Sequence, residues 1–388
     1  MDFDQLIERR GTHCVKWDAE VPRQTGGQPQ SGTGDMIPLW VADMDFAVAP
    51  AIQEAVRRRA EHPVFGYTVV ENDYYEAVVS WFKRRHGWTI SREHILYTTG
   101  VVPAMSCAIK ALTMPGERVL ILSPDYNCFF SSIKNNGCEV AESILVMGNG
   151  RWTVDWADFE AQCADEKTTV FLLCNPHNPT GRVWTQEELR HMSDICRRHH
   201  VSIVSDEIHC ELTMPGHTFC PMATVDPEAV ILNSPSKSFN TAGLQIANIV
   251  ATDPAVRRRI DRAININEVC DVNPFGPVAL IAAYNESEAW LDELNHYLWG
   301  NYTALCGLVA QHLPQWRVMP LEGTYLVWVD VSACTDNVAA YCERLFNETG
   351  VWVNPGTMYG PKSGEGYLRI NIACPRSRLM EALERIKS

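Results

Sequence analysis

Short apolar runs alternate with longer amphipathic stretches between about residues 90 and 250, and this alternation restricts the possible fold more than any other feature. The stretch 186–199 carries two glutamates in its first turn and two arginines near its end, an arrangement that complements the helix dipole. Strands that are apolar on both faces and separated by helices indicate a mostly parallel sheet covered by helices. The apolar runs cover residues 94–98, 119–122, 169–174, 201–205, 230–232 and 246–251.

Beyond about residue 285 the pattern changes to that of a smaller α+β unit. A long helical stretch at 287–312 precedes two apolar runs, at 325–331 and 367–373, with a helix candidate between them and another at the C-terminus. We therefore expect three parts. They are an N-terminal segment at 1–50 that contributes to the small domain, a large domain at 51–285 and a small domain at 286–388. The polar, glycine-rich segment 23–32 is expected to be a loop.

Composition narrows the functional class. The chain has 388 residues and a formal net charge of −14, so we expect neither nucleic-acid binding nor attachment to an anionic membrane surface. No apolar stretch is long enough to cross a membrane, and the acidic start predicts no signal peptide. The 14 cysteines are scattered without a Cys-x-x-Cys pair, which is typical of reduced thiols in a cytoplasmic protein.

Two of the segments at predicted strand ends could bind a ligand, because open parallel sheets bind ligands there. Gly100 and Val101 combine a strand end, a glycine turn and a helix start, which exposes backbone N–H groups to a phosphate. A simple strand-to-helix turn is the alternative. Asn178 lies in the Asn- and Pro-rich loop 175–181, where it could either shape a tight turn or bond a ligand.

Two further segments carry ionisable residues. Asp206 and His209 lie just past one buried strand, and Lys237 follows another, between serines. Lysine is seldom buried without a purpose, although an exposed loop lysine is the alternative. Asp206, Glu207 and His209 could bind a metal, but no second group of ligands has metal-site spacing, so we expect none.

Together the four segments match the needs of pyridoxal 5′-phosphate (PLP). This cofactor requires a lysine for its covalent attachment, an acid to keep its ring nitrogen protonated, a hydrogen-bond donor for its 3′-oxygen and a cradle for its phosphate. We therefore predict a PLP site built from these strand ends.

The sequence also resembles the fold-type I PLP enzymes of the aspartate aminotransferase superfamily, and within them the cystathionine β-lyase or cysteine-S-conjugate β-lyase family. This resemblance implies an α/β fold whose large, PLP-binding domain has a mainly parallel seven-stranded sheet. The blocks at 39–46 and 205–209 point to the lyase branch. The resemblance spans nearly the whole chain and rests on residues 39–46, 65–68, 175–184, 205–210, 234–244 and 368–376.

The resemblance also implies cofactor contacts. Lys237 would bond covalently to PLP, Asp206 would pair with its ring nitrogen, and Asn178 would bond its 3′-oxygen. Tyr126 would stack on the ring. The phosphate would be held by Gly100, Val101, Ser234 and Ser236.

For the substrate, the resemblance implies a carboxylate clamp at Arg369, a task that the planar guanidinium suits, with Ala42 and Asp43 also in contact. Tyr67 is expected to reach the phosphate in a neighbouring subunit, so the protein would be a homodimer.

Two cofactor-site residues depart from the aminotransferase pattern. His209 stands where aminotransferases carry a tyrosine, and Gln245 stands where many carry an arginine on the phosphate. We expect α,β-elimination of an S-substituted cysteine or cystathionine, which yields a thiol, pyruvate and ammonia. A class I/II aminotransferase is the first alternative. A regulatory binding protein built on the same scaffold is the second, although the runs 57–59 and 257–259 are expected to be solvated helix faces.

Overall fold

The computed structural model describes residues 1–18 and 36–387, so the expected loop at 23–32 lies outside the described residues. The helices of this part are α1 Val15–Asp18, α2 Pro50–Glu61, α3 Asn72–His86, α4 Val101–Leu112, α5 Asn127–Asn135, α6 Trp156–Cys163, α7 Gln186–Arg198, α8 Pro254–Ile266, α9 Phe275–Glu286, α10 Glu288–His312, α11 Val338–Thr349 and α12 Arg376–Lys387. The strands are β1 Ile37–Pro38, β2 Ile95–Thr98, β3 Arg118–Ser123, β4 Glu139–Ile144, β5 Val146–Gly148, β6 Arg151–Thr153, β7 Thr168–Cys174, β8 Ser202–Asp206, β9 Val230–Asn233, β10 Ala247–Val250, β11 Arg317–Val318, β12 Leu326–Asp330, β13 Val351–Trp352, β14 Asn354–Pro355 and β15 Tyr367–Asn371.

The central sheet has seven strands in the order β2-β10-β9-β8-β7-β3-β4. All its neighbouring pairs are parallel except the two that involve β10. The carboxyl ends of β2, β7, β8 and β9 therefore meet at one edge, and the start of the antiparallel β10 lies at the same edge. This arrangement confirms the expected α/β fold with a mainly parallel seven-stranded sheet.

The six apolar runs correspond to six of these seven strands. Residues of β3, β7, β8 and β9 are almost all buried because helices such as α4 and α7 cover the sheet. The seventh strand, β4, was not expected. It lies at the sheet edge, and its side chains alternate between exposed and buried positions, so it has no continuous apolar run.

A second sheet has the order β11-β12-β15-β14 and is antiparallel throughout. The helix predicted at 287–312 is α10, and the two predicted apolar runs contain β12 and β15. The N-terminal segment joins this region because β1 pairs with β13, with Ile37 opposite Val351. The predicted division at residues 50 and 285 remains a prediction.

Surface features of the described residues add two facts. Among them, no helix combines the length and the apolar character that a bilayer-spanning helix needs. Arg57 and Arg58 of α2 both pair with Glu54 of the same exposed helix, as the prediction of a solvated face implies.

Candidate active site

A cavity of about 270 Å³ lies at the carboxyl edge of the central sheet. Arg369 contacts one of its lining residues, whereas Asp43 and Tyr67 lie outside it. The predicted residues that line the cavity are Ala42, Gly100, Val101, Tyr126, Asn178, Asp206, His209, Ser234, Ser236, Lys237 and Gln245. Lining residues without a predicted role are Thr99, Val102, Pro103, Cys174, Ile208, Ala242 and Ile246.

One end of the cavity is suited to an anion. Gly100 precedes α4 with φ 155° and ψ 166°, a backbone conformation that is essentially restricted to glycine. The first N–H groups of a helix lack partners within the helix, and the helix dipole favours negative charge there. In the same cavity lining, the Ser234 hydroxyl donates to the Ile246 carbonyl at 2.7 Å and accepts from the Ser236 N–H at 3.1 Å, which fixes the loop after β9.

Lys237 is half-buried in the cavity wall. Its Nζ donates to the Ala42 carbonyl at 2.7 Å, and the Tyr325 hydroxyl donates to the same oxygen at 2.9 Å. Burial lowers the pKa of Lys237 to about 8; Arg369 acts in the same direction, while Asp43 and Asp206 oppose it. A lysine with this pKa is available as a base near neutral pH.

Asn240 ties the Lys237 loop to the loop of Ala42. Its side-chain oxygen accepts from the Met44 N–H at 3.0 Å, and its amide donates to the carbonyls of Met44 at 3.1 Å and Phe46 at 2.9 Å. The backbone of Asn240 has φ 55°, a left-handed conformation that asparagine tolerates better than most residues. The two loops are therefore held in one relative position.

Asp206 ends β8 and lies on the cavity wall next to His209. Burial raises the pKa of Asp206 to about 7, opposed by the Ile208 N–H and by Lys237. A nearby cation would therefore be needed to keep this carboxylate ionised. Burial, followed by the charges of Lys237 and Arg369, holds the pKa of His209 well below its ordinary value, so its ring is neutral. The His209 Nδ1 is buried without a partner.

Arg369 lies on β15, opposite Trp328, and is buried. Its Nη1 donates to the Asn178 side-chain oxygen at 3.1 Å and its Nη2 donates to the Trp40 carbonyl at 2.8 Å. Its guanidinium also lies 4.6 Å from the ring centre of Tyr359. The Nε is buried with no partner, an unfavourable state for a cationic donor unless a ligand oxygen binds there.

These residues fit PLP. The cavity combines a half-buried amine, a carboxyl group whose pKa a ring cation would lower, an aromatic ring and a helix start suited to phosphate. The buried unpartnered atoms of His209 and Arg369 indicate that a polar ligand completes the site.

Metal ligation was not expected, and this remains a prediction. Three side chains among the described residues, His86, Cys210 and Glu211, lie close enough together to hold a metal ion. Glu211 already accepts from the Trp81 indole at 2.7 Å and pairs with Arg85 and His86, so its carboxylate has internal partners.

Several site residues were not foreseen. Tyr325 begins an expected strand, but its hydroxyl contact with the Ala42 loop has no local sequence signal. Tyr359 lies in a short 3-10 turn, where nothing marks it as a neighbour of Arg369. The expected contact of Asp43 with the substrate remains a prediction; its carboxylate lies 2.7 Å from the Arg9 guanidinium, a pairing that was not foreseen.

The fold and the site together define an aminotransferase-like protein of the kind that binds PLP. A family model described as aminotransferase class I and II matches residues 34–386, and the chain belongs to this family.

Individual relatives are similar over the whole chain. The cystathionine β-lyase PatB of Bacillus subtilis (strain 168) is 38% identical over 392 residues, which cover 100% of this chain and 99% of PatB. The crystal structure of cystalysin from Treponema denticola, which contains PLP, has a TM-score of 0.94 and 32% identity, covering 100% of this chain and 98% of cystalysin. The PLP-bound C–S lyase from Staphylococcus hominis has a TM-score of 0.90, 32% identity and the same coverage.

Proposed function

We propose that the protein is a PLP-dependent carbon–sulfur lyase that cleaves cystathionine or related cysteine S-conjugates to a thiol, pyruvate and ammonia. The convergence of the Lys237 amine, the Asp206 carboxyl group and the Arg369 guanidinium around one cavity carries this proposal. The names of the similar proteins, a cystathionine β-lyase and a C–S lyase, support elimination as the reaction.

The residues have separate tasks in this reaction. PLP supplies an electron sink that acidifies the Cα–H bond of an amino acid bound to it. Asp206 keeps the ring nitrogen protonated, and Arg369 holds the substrate carboxylate through its planar fork. Lys237 takes the proton from Cα because its lowered pKa leaves a free amine available near neutral pH. The sulfur would then leave Cβ with the bonding electron pair and be protonated to a thiol, and one water would hydrolyse the remaining three-carbon enamine to pyruvate and ammonia.

The phosphate contacts are proposed on the same basis. Gly100 and Val101 would supply backbone N–H groups and Ser234 and Ser236 would supply hydroxyls, and all four residues line the cavity. Gln245 is neutral and lines this cavity, so no arginine balances the phosphate charge at that position. The dipole of α4 therefore carries more of the balance.

A homodimer with shared sites is also proposed. Tyr67 is 97% exposed and lies in an extended segment where Val64, Phe65 and Val69 are exposed as well. Exposed apolar clusters commonly mark protein interfaces. In a two-fold dimer, this segment would bring Tyr67 to the phosphate site of the partner.

We place the enzyme in the cytoplasm. All 14 cysteines lie in the described part of the chain and are free thiols there. A large set of unpaired thiols is characteristic of reducing compartments.

A paired assay on one preparation tests the proposed function. Cystathionine or an S-substituted cysteine should release pyruvate and thiol steadily, and the purified protein should be yellow from bound PLP. Lys237→Ala should abolish both the release and the covalent attachment of PLP. Rapid transfer of the amino group to a keto acid with negligible thiol release would establish the aminotransferase alternative instead.

A further inference from the structure

The N-terminal segment 1–18 reaches the loop that carries Ala42 and contacts it mainly through charged groups. The Arg9 Nη2 lies 2.7 Å from the Asp43 carboxylate, and its Nη1 lies 2.6 Å from the Asp45 carboxylate. The same Nη1 donates to the Met44 carbonyl at 2.9 Å. One guanidinium therefore spans three consecutive residues of the loop.

Lys16 supplies a second cation from the same segment. Its side chain is fully buried, and its Nζ lies 2.9 Å from the Asp45 carboxylate and donates to the Asp43 carbonyl at 3.2 Å. The Trp17 indole donates to Asp45 at 2.9 Å. Burial disfavours the ionised form of Asp45, but Lys16 and Trp17 hold its pKa below the ordinary value. The charges of Arg9 and Lys16 thus balance those of the two aspartates.

This cluster is one peptide unit away from the acceptor of Lys237. Ala42, whose carbonyl accepts from Lys237 Nζ at 2.7 Å, directly precedes Asp43. The Asp43 carbonyl also accepts from the Asn371 side chain at 2.7 Å, which connects the loop to β15. The Asp43 carboxylate in turn favours the charged form of Lys237.

We propose that Arg9 and Lys16 are positioning residues for the elimination reaction: they neutralise Asp43 and Asp45 and thereby fix both the Ala42 carbonyl and the field that Asp43 exerts on Lys237. This inference rests on the role of Lys237 in the proposed function. In this proposal Asp43, which is not among the residues that line the cavity, acts on Lys237 through its charge.

Other ionisable groups also influence the pKa of Lys237, so the test has to keep their contributions the same in the variants that it compares. The groups that face Lys237 are Asp43, Asp206, Arg369, His209 and Cys128. The charged cluster is flanked by Cys14 and Cys374, and by Arg10 and Arg378, which both lie over the Trp17 ring. Arg9→Gln and Arg9→Lys change one cation of the cluster and none of the groups that face Lys237, so the direct contributions of those groups stay the same.

Arg9→Gln in the holoenzyme is the principal test. Loss of the guanidinium leaves Asp43 less neutralised, so the protonated form of Lys237 is favoured. The pH midpoint of the visible absorption change and the acid limb of kcat/KM should both move upward by about 0.5 to 1 pH unit. Arg10→Gln is the matched control, because Arg10 pairs with the exposed Glu8 and lies over the Trp17 ring but makes no ion pair with Asp43 or Asp45. Equal midpoints for the two variants would overturn the inference.

Asp43→Asn tests the route of the effect. It should move the same midpoints downward, and in its background Arg9→Gln should lose at least about half of its upward shift, as coupled neighbours require. An undiminished shift would show that Arg9 does not act through Asp43. Arg9→Lys keeps the charge and covers the case in which Arg9→Gln does not fold. It should retain the wild-type midpoints but lower kcat/KM, and a kcat/KM equal to that of the control would refute positioning.

Measurements on the wild-type protein distinguish failure of the proposed function from failure of the positioning role of Arg9. A wild type without a visible band and without pyruvate release would refute the proposed function itself. A competent wild type whose Arg9 variants behave like the Arg10 control would refute only the positioning role.

Discussion

Burial moves the pKa values of Lys237 and Asp206 toward each other, from 10.5 to about 8 and from 3.8 to about 7. The same low-polarity surroundings act on both groups, because each loses hydration of its charged form. Opposite shifts within one cavity give an amine that loses its proton at about pH 8 rather than 10.5 and an acid whose ionisation depends on a nearby cation. Such pairs are uncommon outside functional sites.

Asp206→Asn should have opposite effects on activity and on stability. Activity should fall about 100-fold or more, mainly in kcat, because the charge that protects the ring proton is lost. The cofactor-free variant should be more stable than cofactor-free wild type at pH 8. A buried acid with a raised pKa reduces stability increasingly as pH rises from its unfolded value through its folded value.

Denaturant unfolding of both cofactor-free proteins at pH 5 and pH 8 measures this difference. The stability gain should be about 1 to 3 kcal/mol at pH 8 and smaller at pH 5. A gain of equal size at the two pH values would mean that ionisation of Asp206 is not its cause.

Arg369→Lys should weaken substrate binding while leaving the charge in place. Lysine cannot reproduce the planar fork that also contacts Asn178 and Trp40. The loss is expected to be about 1.5 to 3 kcal/mol, which corresponds to roughly a 10- to 100-fold lower kcat/KM for every α-amino acid substrate tested. The visible spectrum of bound PLP should remain unchanged. A spectrum that changes as much as kcat/KM does would place Arg369 at the cofactor instead.

At the level of elements, sequence prediction succeeded where burial is continuous. Strands β7, β8 and β9 are almost entirely buried, so apolar residues occur on both faces of each, whereas the edge strand β4 alternates between exposed and buried positions. The cavity residues Asn178, Asp206 and Lys237 lie at or just past the ends of these strands. Their positions at one edge of the sheet could be predicted because parallel strands end at the same edge.

Contacts that join distant parts of the chain could not be predicted in this way. Arg9 meets Asp43 because the N-terminal segment folds back onto the loop, and nothing in either local sequence specifies that pairing. Tyr359 likewise reaches Arg369 only through the packing of the second sheet. Resemblance supplied the role of Arg369, which sequence pattern alone would have treated as a surface residue.

The start of α7 offers a stability prediction at this scale. The Thr185 hydroxyl accepts from the Glu188 N–H at 3.2 Å, and the Glu188 carboxylate accepts from the Thr185 N–H at 2.8 Å, forming a capping box. Thr185→Ala should lower the free energy of unfolding by about 1 kcal/mol with little change in kcat. The exposed neighbour Gln186 provides the control, since Gln186→Ala should change stability by less than about 0.5 kcal/mol. Equal effects would remove the capping box as the cause.

For the whole molecule, the exposed segment around Tyr67 is difficult to explain in a monomer. Tyr67 is 97% exposed and Val69 is 72% exposed, although large apolar side chains elsewhere are mostly buried in two large clusters. A second copy of the chain would cover this segment and supply its tyrosine to the other site. The proposed dimer therefore accounts for the exposure and the expected phosphate contact together.

Complementation between two inactive chains tests this shared site. Tyr67→Phe and Lys237→Ala chains, coexpressed with different tags, should each be weakly active or inactive alone. In a mixed dimer, one site combines the intact Lys237 of the first chain with the intact Tyr67 of the second, and the other site carries both lesions. Random pairing should therefore restore about a quarter of the wild-type sites. Purification through both tags should enrich the activity toward about half of the wild-type sites per dimer.

A pair of Lys237→Ala and Lys237→Arg chains is the control, because no combination of these restores a lysine. If the Tyr67→Phe and Lys237→Ala pair recovered no more activity than this control, Tyr67 would act within its own chain.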